Sequence, residues 1–179
     1  YFGSGIAVDG YMLNNELPDF DANPARNDFL VANRVEGGKR PRSSMAPTIV
    51  YGPDGKVRIA IGAAGGATII AQVAKALVGV LDWKMSVQDA IAMGLIFAPG
   101  TVAGTVEEGS DVAPMLAQLQ TLGQTLKVAP LGLKANAIEY VDGRWSGAAD
   151  PRSEGVAMDT NGQHTVIQRR VNNLNRAHE

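Results

Sequence analysis

The chain has 179 residues, 45% of them hydrophobic, enough to give one domain a proper core, and 16 Lys+Arg against 18 Asp+Glu leave a net charge of −2. Neither sign gathers into a long block, which argues against nucleic acid or an anionic membrane surface as a partner. With no cysteine there is no disulfide framework, thiol nucleophile or thiolate metal site; with His164 and His178 as the two histidines, neither a histidine metal site nor a Ser-His pair is expected, and no cofactor or metal is called for. A single domain over residues 1–179 is therefore expected.

The chain begins at Tyr1 and runs at once into Phe2-Gly3-Ser4-Gly5-Ile6-Ala7-Val8, which reads as the inside of a fold and suggests a processed product or a piece of a longer polypeptide. Two short apolar runs, 5–8 and 11–13, flank Asp9-Gly10 and predict a tight hairpin. Asn14-Asn15-Glu16-Leu17-Pro18-Asp19-Phe20 follows, an amide- and carboxylate-rich loop. Residues 21–40 read as a long irregular surface loop or flap. Lys39-Arg40-Pro41-Arg42-Ser43-Ser44-Met45-Ala46-Pro47 sets three cations beside two hydroxyls, stiffened by prolines. A strand over 48–51 then turns through Gly52-Pro53-Asp54-Gly55 into a second strand.

Residues 57–81 carry the strongest local signal. Val57, Ile59 and Ile61 alternate with Arg58 and Ala60, predicting a strand with one buried face. Ile70, Val73, Leu77 and Val80 recur at helical spacing, widened by Ala74 and Leu81, predicting an amphipathic helix whose apolar face uses those positions. Gln72, Lys75 and Gly79 interrupt the apolar run, so it is too short to span a bilayer. Between strand and helix lies Gly62-Ala63-Ala64-Gly65-Gly66. The first N–H groups of a helix have no internal acceptor, so a glycine-rich turn there can hold a negative charge, permanent or transient.

Downstream, Ser86-Val87-Gln88-Asp89 resembles a capping box opening a second helix that runs to Met93 or Leu95. A third helix is predicted over 111–122, with Pro114 in its first turn, Gly123 past its end, and Met115, Leu119 and Leu122 on one face. Residues 137–141, the Asp142-Gly143 turn and Arg144 onward predict a hairpin; residues 147–153 form a turn-rich loop; residues 155–158 and 163–168 predict a last hairpin. Strand pairs grouped around helices, without regular alternation, point to a layered α+β sandwich.

Alone, Ile61-Gly62-Ala63-Ala64-Gly65-Gly66-Ala67 resembles the cofactor turn of short-chain dehydrogenases, which would imply NAD(P) binding. Against this, Thr68 stands where that turn wants a glycine, some sixty residues precede the strand, and no Tyr is followed four places on by Lys.

Five motifs use far more of the chain: Phe2-Gly3-Ser4-Gly5-Ile6; Met12 through Phe20 around Asn14-Asn15-Glu16; Gly38-Lys39-Arg40-Pro41-Arg42-Ser43-Ser44-Met45-Ala46-Pro47-Thr48-Ile49-Val50; Gly62 through Gly66; and Ala149-Asp150-Pro151-Arg152-Ser153. In order and approximate spacing they resemble the small subunit of γ-glutamyltransferases. The resemblance implies the αββα sandwich of N-terminal-nucleophile hydrolases, here without its first strands, and a precursor that cleaves itself into large and small subunits. It also implies a nucleophilic threonine upstream of Phe2, outside this chain, and a periplasmic or secreted location. The implied partners are the large subunit, a γ-glutamyl small-molecule donor, and water or an amino-acid or peptide amine as acceptor. By the same resemblance Glu16 and Asp19 grip the donor's ammonium, Ser43 and Ser44 bind its α-carboxylate, and the N–H groups of Gly65 and Gly66 form the oxyanion hole. The chain departs from the pattern at Ala63, Ala64, Ala67, Arg42 and the segment from Met93 to Pro99. These departures leave room for a related glutaryl or cephalosporin-type amide acylase, or for a catalytically inactive relative.

Overall fold

The computed structural model describes residues 3–100, 103–159 and 161–163. They fall into two compact units, one up to Ser43 and one from Ser44 onward.

The first unit is built from short hairpins. Strands β1 (Ala7–Val8) and β2 (Tyr11–Met12) pair antiparallel, Ala7 opposite Met12 and Val8 opposite Tyr11. The turn needs left-handed backbone at both central positions, and Asp9 (φ +50°) with Gly10 (φ +83°) supplies it as the sequence predicts. The stretch read as irregular, 21–40, holds a second hairpin, β3 (Ala25–Arg26) with β4 (Phe29–Leu30). Its turn is made by Asn27 (φ +48°) and Asp28 (φ +65°), short polar side chains that tolerate the left-handed region and carry no glycine signal. A single 3-10 turn, Leu17–Asp19, lies between the two hairpins.

The second unit carries β5 (Thr48–Tyr51), β6 (Val57–Ala64), α1 (Ile69–Leu81), α2 (Val87–Ala92), β7 (Ile96–Phe97), β8 (Ala103–Glu107), α3 (Leu116–Thr121), β9 (Thr125–Ala129), β10 (Lys134–Val141) and β11 (Arg144–Ala149). The main sheet runs β11-β10-β6-β5 with every neighbouring pair antiparallel. The strand feeding the glycine turn is therefore central in an antiparallel sheet, which removes the parallel βαβ unit that a dinucleotide turn requires.

Strand alternation sorts the residues between two faces. Ile59, Ile61, Ala135, Ala137 and Ala148 turn inward with Val73, Ala76, Val80, Val87 and Ile91 of α1 and α2, forming the core. The other face leaves Ile49, Ile138, Tyr140 and Trp145 between 44% and 57% exposed, with Tyr140 and Trp145 edge to face at 5.3 Å. Strand β10 begins at Lys134, earlier than position 137, because Lys134 and Ala135 already pair with Ala64 and Ala63.

Helix α1 keeps Val73 and Val80 in the core and Leu77 and Leu81 packed against it, as its sequence suggests, but is rotated away from Ile70 and Ala74. Ile69, Gln72, Val73, Ala76, Gly79 and Val80 are buried, whereas Ile70 is 58% exposed and Ala74 is also exposed. Two contacts set the rotation: Gln72 turns inward to hydrogen-bond the preceding strand end, and Gly79 lies against α2, where an added Cβ would come 2.8 Å from the Cβ of Ala90. The Ser86 cap forms as predicted, its Oγ accepting from Asp89 N at 3.1 Å.

The third helix is shorter than expected. A 3-10 turn, Ala113–Met115, precedes α3, and Met115 and Leu122 are 46% and 72% exposed, so neither belongs to a buried face. Pro114 favours the tight opening turn. Strands β7, β8 and β9 form a second sheet in which β8 and β9 run parallel. The second strand of the last predicted hairpin lies outside the described residues beyond Gln163, as do Tyr1, Phe2, His164 and His178.

An ionic cluster closes one end of the core. Asp150, 2% exposed, accepts from Ala135 N and Arg152 N at 3.1 and 3.0 Å, and the Arg152 guanidinium meets Asp150 and Glu107. Arg152 also donates to the carbonyls of Ile91, Ala92 and Met93, acceptors that the end of α2 leaves without a partner inside the helix. Lys75 joins through Ile91 O and Met93 O. Burial lowers the Lys75 ammonium to about 8, the neighbouring Arg152 adds to this, and Glu107, Asp150 and Asp111 oppose it.

Candidate functional site

In the first unit Glu16 stands at the N-cap position of the Leu17–Asp19 turn, with no capping hydrogen bond from its side chain. The Asn14 side chain accepts from Glu16 N at 3.1 Å and Asp19 N donates to Glu16 O at 2.9 Å, so both acidic residues are held on one turn. Glu16 is half-buried and Asp19 exposed. Three basic side chains of this unit pair elsewhere, Arg26 with Asp21 at 2.8 Å, and Arg34 and Lys39 with Glu36 at 2.5 and 3.8 Å. Among the described residues neither Glu16 nor Asp19 has an ion-pair partner, so two carboxylates remain available to a cation.

Asn33, which the sequence reading passed over, connects this turn to the serine segment. Its Nδ2 donates to Asp19 O at 2.6 Å and its Oδ1 accepts from Arg42 N at 2.8 Å. The residue next to Arg42 is Ser43, exposed at the end of the unit, and Ser44, half-buried, opens the second unit. One amide side chain thus fixes the backbone at the acidic turn and at the approach to the serines.

In the second unit the glycine turn sits where β6 ends. Gly65 has φ +133° and Gly66 φ +60°, conformations that L side chains rarely adopt, and a 3-10 turn, Gly66–Thr68, leads directly into α1. Gly65, Gly66 and Ala67 are exposed, while Thr68 and Gln72 behind them are 7% and 2% exposed. The Thr68 hydroxyl donates to Gly65 O at 3.1 Å. The Gln72 amide donates to Ala64 O at 2.9 Å and to Thr68 Oγ1 at 3.0 Å, and its oxygen accepts from Lys134 N at 2.9 Å. The first N–H groups of this helical segment lack an internal acceptor, so the arrangement is suited to charge that develops on an oxygen. No group of three or more His, Cys, Asp or Glu suited to a metal occurs among the described residues. A groove of about 850 Å³ lies on the exposed sheet face instead, lined by Ile49, Ile138, Trp145, Val156 and Met158 among others, and it does not reach Gly65 or Gly66.

Thr68 and Gln72 were legible only in part. A polar residue inside an apolar helical run was the available signal for Gln72, and Thr68 stood out only as the residue that breaks the dinucleotide pattern.

Comparison with known proteins agrees with this architecture. Over 165 residues the chain is 33% identical to a glutathione hydrolase proenzyme of Bacillus subtilis strain 168, covering 89% of this chain and 27% of that protein. It is 28% identical over 164 residues to the acylase ACY 1 proenzyme of a Pseudomonas species, covering 90% of this chain and 28% of that protein. Among solved structures it resembles the γ-glutamyltranspeptidase of Pseudomonas nitroreducens complexed with L-DON, with a TM-score of 0.70 and 30% identity, covering 88% of this chain and 87% of that one. The chain therefore spans about a quarter of the length of the curated proenzymes it matches. Its fold is α+β, of the N-terminal-nucleophile hydrolase type. The family description "Gamma-glutamyltranspeptidase" matches residues 1–160, and the chain belongs to that family.

Proposed function

We propose that this chain is the small-subunit part of an enzyme that transfers or hydrolyses γ-glutamyl groups, with glutathione-type amides as donors. The observation that carries the proposal is the exposed Gly65-Gly66 turn at a strand–helix junction, in a chain whose relatives include a glutathione hydrolase proenzyme.

In this reading the donor's ammonium lies between Glu16 and Asp19, and its α-carboxylate meets the hydroxyls of Ser43 and Ser44. A threonine outside residues 1–179 supplies the nucleophilic oxygen, and its own α-amino group takes the proton. As the oxygen bonds to the γ-carbonyl carbon, negative charge moves to the carbonyl oxygen, where the N–H groups of Gly65 and Gly66 stabilise it. Collapse breaks the amide bond, the leaving amine takes a proton, and the acyl group stays on the threonine. Water or an amine then attacks the ester and releases the acyl group. The Cβ-free surface of the turn leaves room for the acyl chain.

The partner is a large subunit from the same self-cleaving precursor, forming a heterodimer. The exposed sheet face with Ile49, Ile138, Tyr140 and Trp145 supports this reading, since apolar faces of that kind are normally covered. The location is periplasmic or secreted; among the described residues no helix is long and apolar enough to cross a membrane.

A second reading, amide acylase, is favoured by the Pseudomonas acylase relative and by Ala63, Ala64 and Ala67 in the glycine turn. Glutaryl and γ-glutamyl amides differ by one ammonium, so the complete enzyme is assayed on the nitroanilides of both. Higher kcat/KM on the γ-glutamyl compound is expected. Preference for the glutaryl compound transfers the assignment to an acylase, and turnover of neither makes the protein an inactive relative.

A further inference from the structure

We infer that Thr68 and Gln72 are positioning residues that aim the N–H groups of Gly65 and Gly66 at the reacting oxygen, an inference that rests on the oxyanion reading of this turn. A trans peptide unit is planar, and its N–H and C=O point in opposite directions. The N–H of Gly65 shares its plane with Ala64 C=O, and the N–H of Gly66 shares its plane with Gly65 C=O. Fixing those two carbonyls therefore fixes the direction of both donors.

The structure holds both carbonyls from the buried side. Ala64 O accepts from Gln72 Nε2 at 2.9 Å, and Gly65 O accepts from Thr68 Oγ1 at 3.1 Å and Thr68 N at 3.4 Å. With the carbonyls drawn toward Thr68 and Gln72, at 7% and 2% exposure, the opposed N–H groups face the exposed side of the turn. The two side chains also lock each other. Gln72 places its second proton on Thr68 Oγ1 at 3.0 Å, which directs the hydroxyl proton to Gly65 O.

A third contact references the turn to the sheet. Gln72 Oε1 accepts from Lys134 N at 2.9 Å, at the start of the strand paired with β6, so the turn cannot pivot independently of β10. Gln72 thus spends both amide protons and its oxygen on backbone and on Thr68, and touches the end of β6, the turn and β10 at once. A buried network with every member satisfied is rigid, and donors preorganised in this way need no reorientation when charge develops.

The test uses Thr68→Val, Thr68→Ser and Gln72→Met in the complete enzyme. Valine keeps the shape of threonine and removes the hydroxyl; serine restores it. For Thr68→Val, kcat on the γ-glutamyl nitroanilide is expected to fall about tenfold to hundredfold. Its KM should stay within about twofold, because the donor's charged groups bind elsewhere. Gln72→Met is expected to follow Thr68→Val, and Thr68→Ser should recover most of the lost kcat. If Thr68→Val keeps parental kcat while Gly66→Val loses it, the positioning inference falls and the oxyanion reading stands. If valine and serine lose kcat equally, the role is packing and the inference also falls. A crystal structure of Thr68→Val decides the matter independently of turnover: a rotated Gly65-Gly66 peptide is expected, and an unmoved one overturns the inference.

Discussion

Gly65→Ala and Gly66→Ala, neighbours in the same turn, are predicted to behave differently, and the difference follows from what surrounds each. A Cβ on Gly65 would lie 2.6 Å from Thr68 Oγ1, 2.9 Å from Gln72 Nε2 and 3.4 Å from Gly132 O. The first two neighbours cannot swing aside as free chain ends, because both are buried and tied to Ala64 O, Gly65 O and Lys134 N. The backbone at φ +133° costs a residue with a Cβ roughly 1–3 kcal/mol. Disrupting a buried hydrogen bond adds about 1–3 kcal/mol. A Cβ on Gly66 meets nothing within 4 Å, and φ +60° is the left-handed region that alanine enters at a cost of about 1 kcal/mol. Gly65→Ala should therefore be the more damaging by about 2 kcal/mol, or roughly 4–8 °C in Tm for a protein of this size. Thermal unfolding of the two variants beside the parent measures this directly. Equal losses, or a more stable Gly65→Ala, would refute the picture of a turn braced from behind by Thr68 and Gln72.

The half-buried ammonium of Lys75 makes a pH prediction. Its pKa falls from 10.5 to about 8 in the folded chain, so between those values the unfolded state binds more protons and stability attributable to Lys75 rises with pH. Against Lys75→Met, the parent should gain on the order of 1 kcal/mol from pH 8 to 10.5, a value discounted because the side chain is partly open to solvent; a gap that stays flat or narrows contradicts the assignment. Asp19→Ala removes one of the two carboxylates proposed to hold the ammonium. Loss of a desolvated charge contact costs about 2–5 kcal/mol of binding, so KM for the γ-glutamyl nitroanilide should rise about 30-fold or more. KM for the glutaryl compound should hardly move, and an equal rise for both would count against the ammonium role.

How far the sequence could be read depended on whether the structure was local. Val57, Ile59 and Ile61 alternate within one strand, and Asp9-Gly10 and Asp142-Gly143 mark their turns by residue type, so β6 and two hairpins were legible. The β7-β8-β9 sheet was not, because its order is set by pairing between distant segments. Strand β7 is two residues long, and β9 shows no buried alternate face. Gly104, whose added Cβ would lie 2.8 Å from Leu126 Cδ2, reveals its purpose only when β9 lies beside it.

The face of α1 was legible at Val73, Leu77, Val80 and Leu81 and misjudged at Ile70 and Ala74, for a related reason. Periodicity counts Ile70 as core and Gln72 as an interruption, whereas the buried hydrogen bonds of Gln72 turn it inward and leave Ile70 in solvent. At the site, the oxyanion role proposed for Gly65-Gly66 has a local basis in a strand, a turn and a helix in sequence. The roles proposed for Glu16, Asp19, Ser43 and Ser44 rest on resemblance, since nothing local marks a carboxylate as a ligand for an ammonium. Asn33 carried no local mark either, because its partners, Asp19 O and Arg42 N, lie 14 residues before it and nine after it.

A crystal structure of the complete enzyme holding a γ-glutamyl acyl group trapped on the nucleophile measures both where that group binds and what stabilises its carbonyl oxygen. Expected are the ammonium between the carboxylates of Glu16 and Asp19, the α-carboxylate on the hydroxyls of Ser43 and Ser44, and the γ-carbonyl oxygen about 3 Å from the N–H groups of Gly65 and Gly66. A carbonyl oxygen turned away from that glycine pair, with other donors around it, would contradict the proposed oxyanion role.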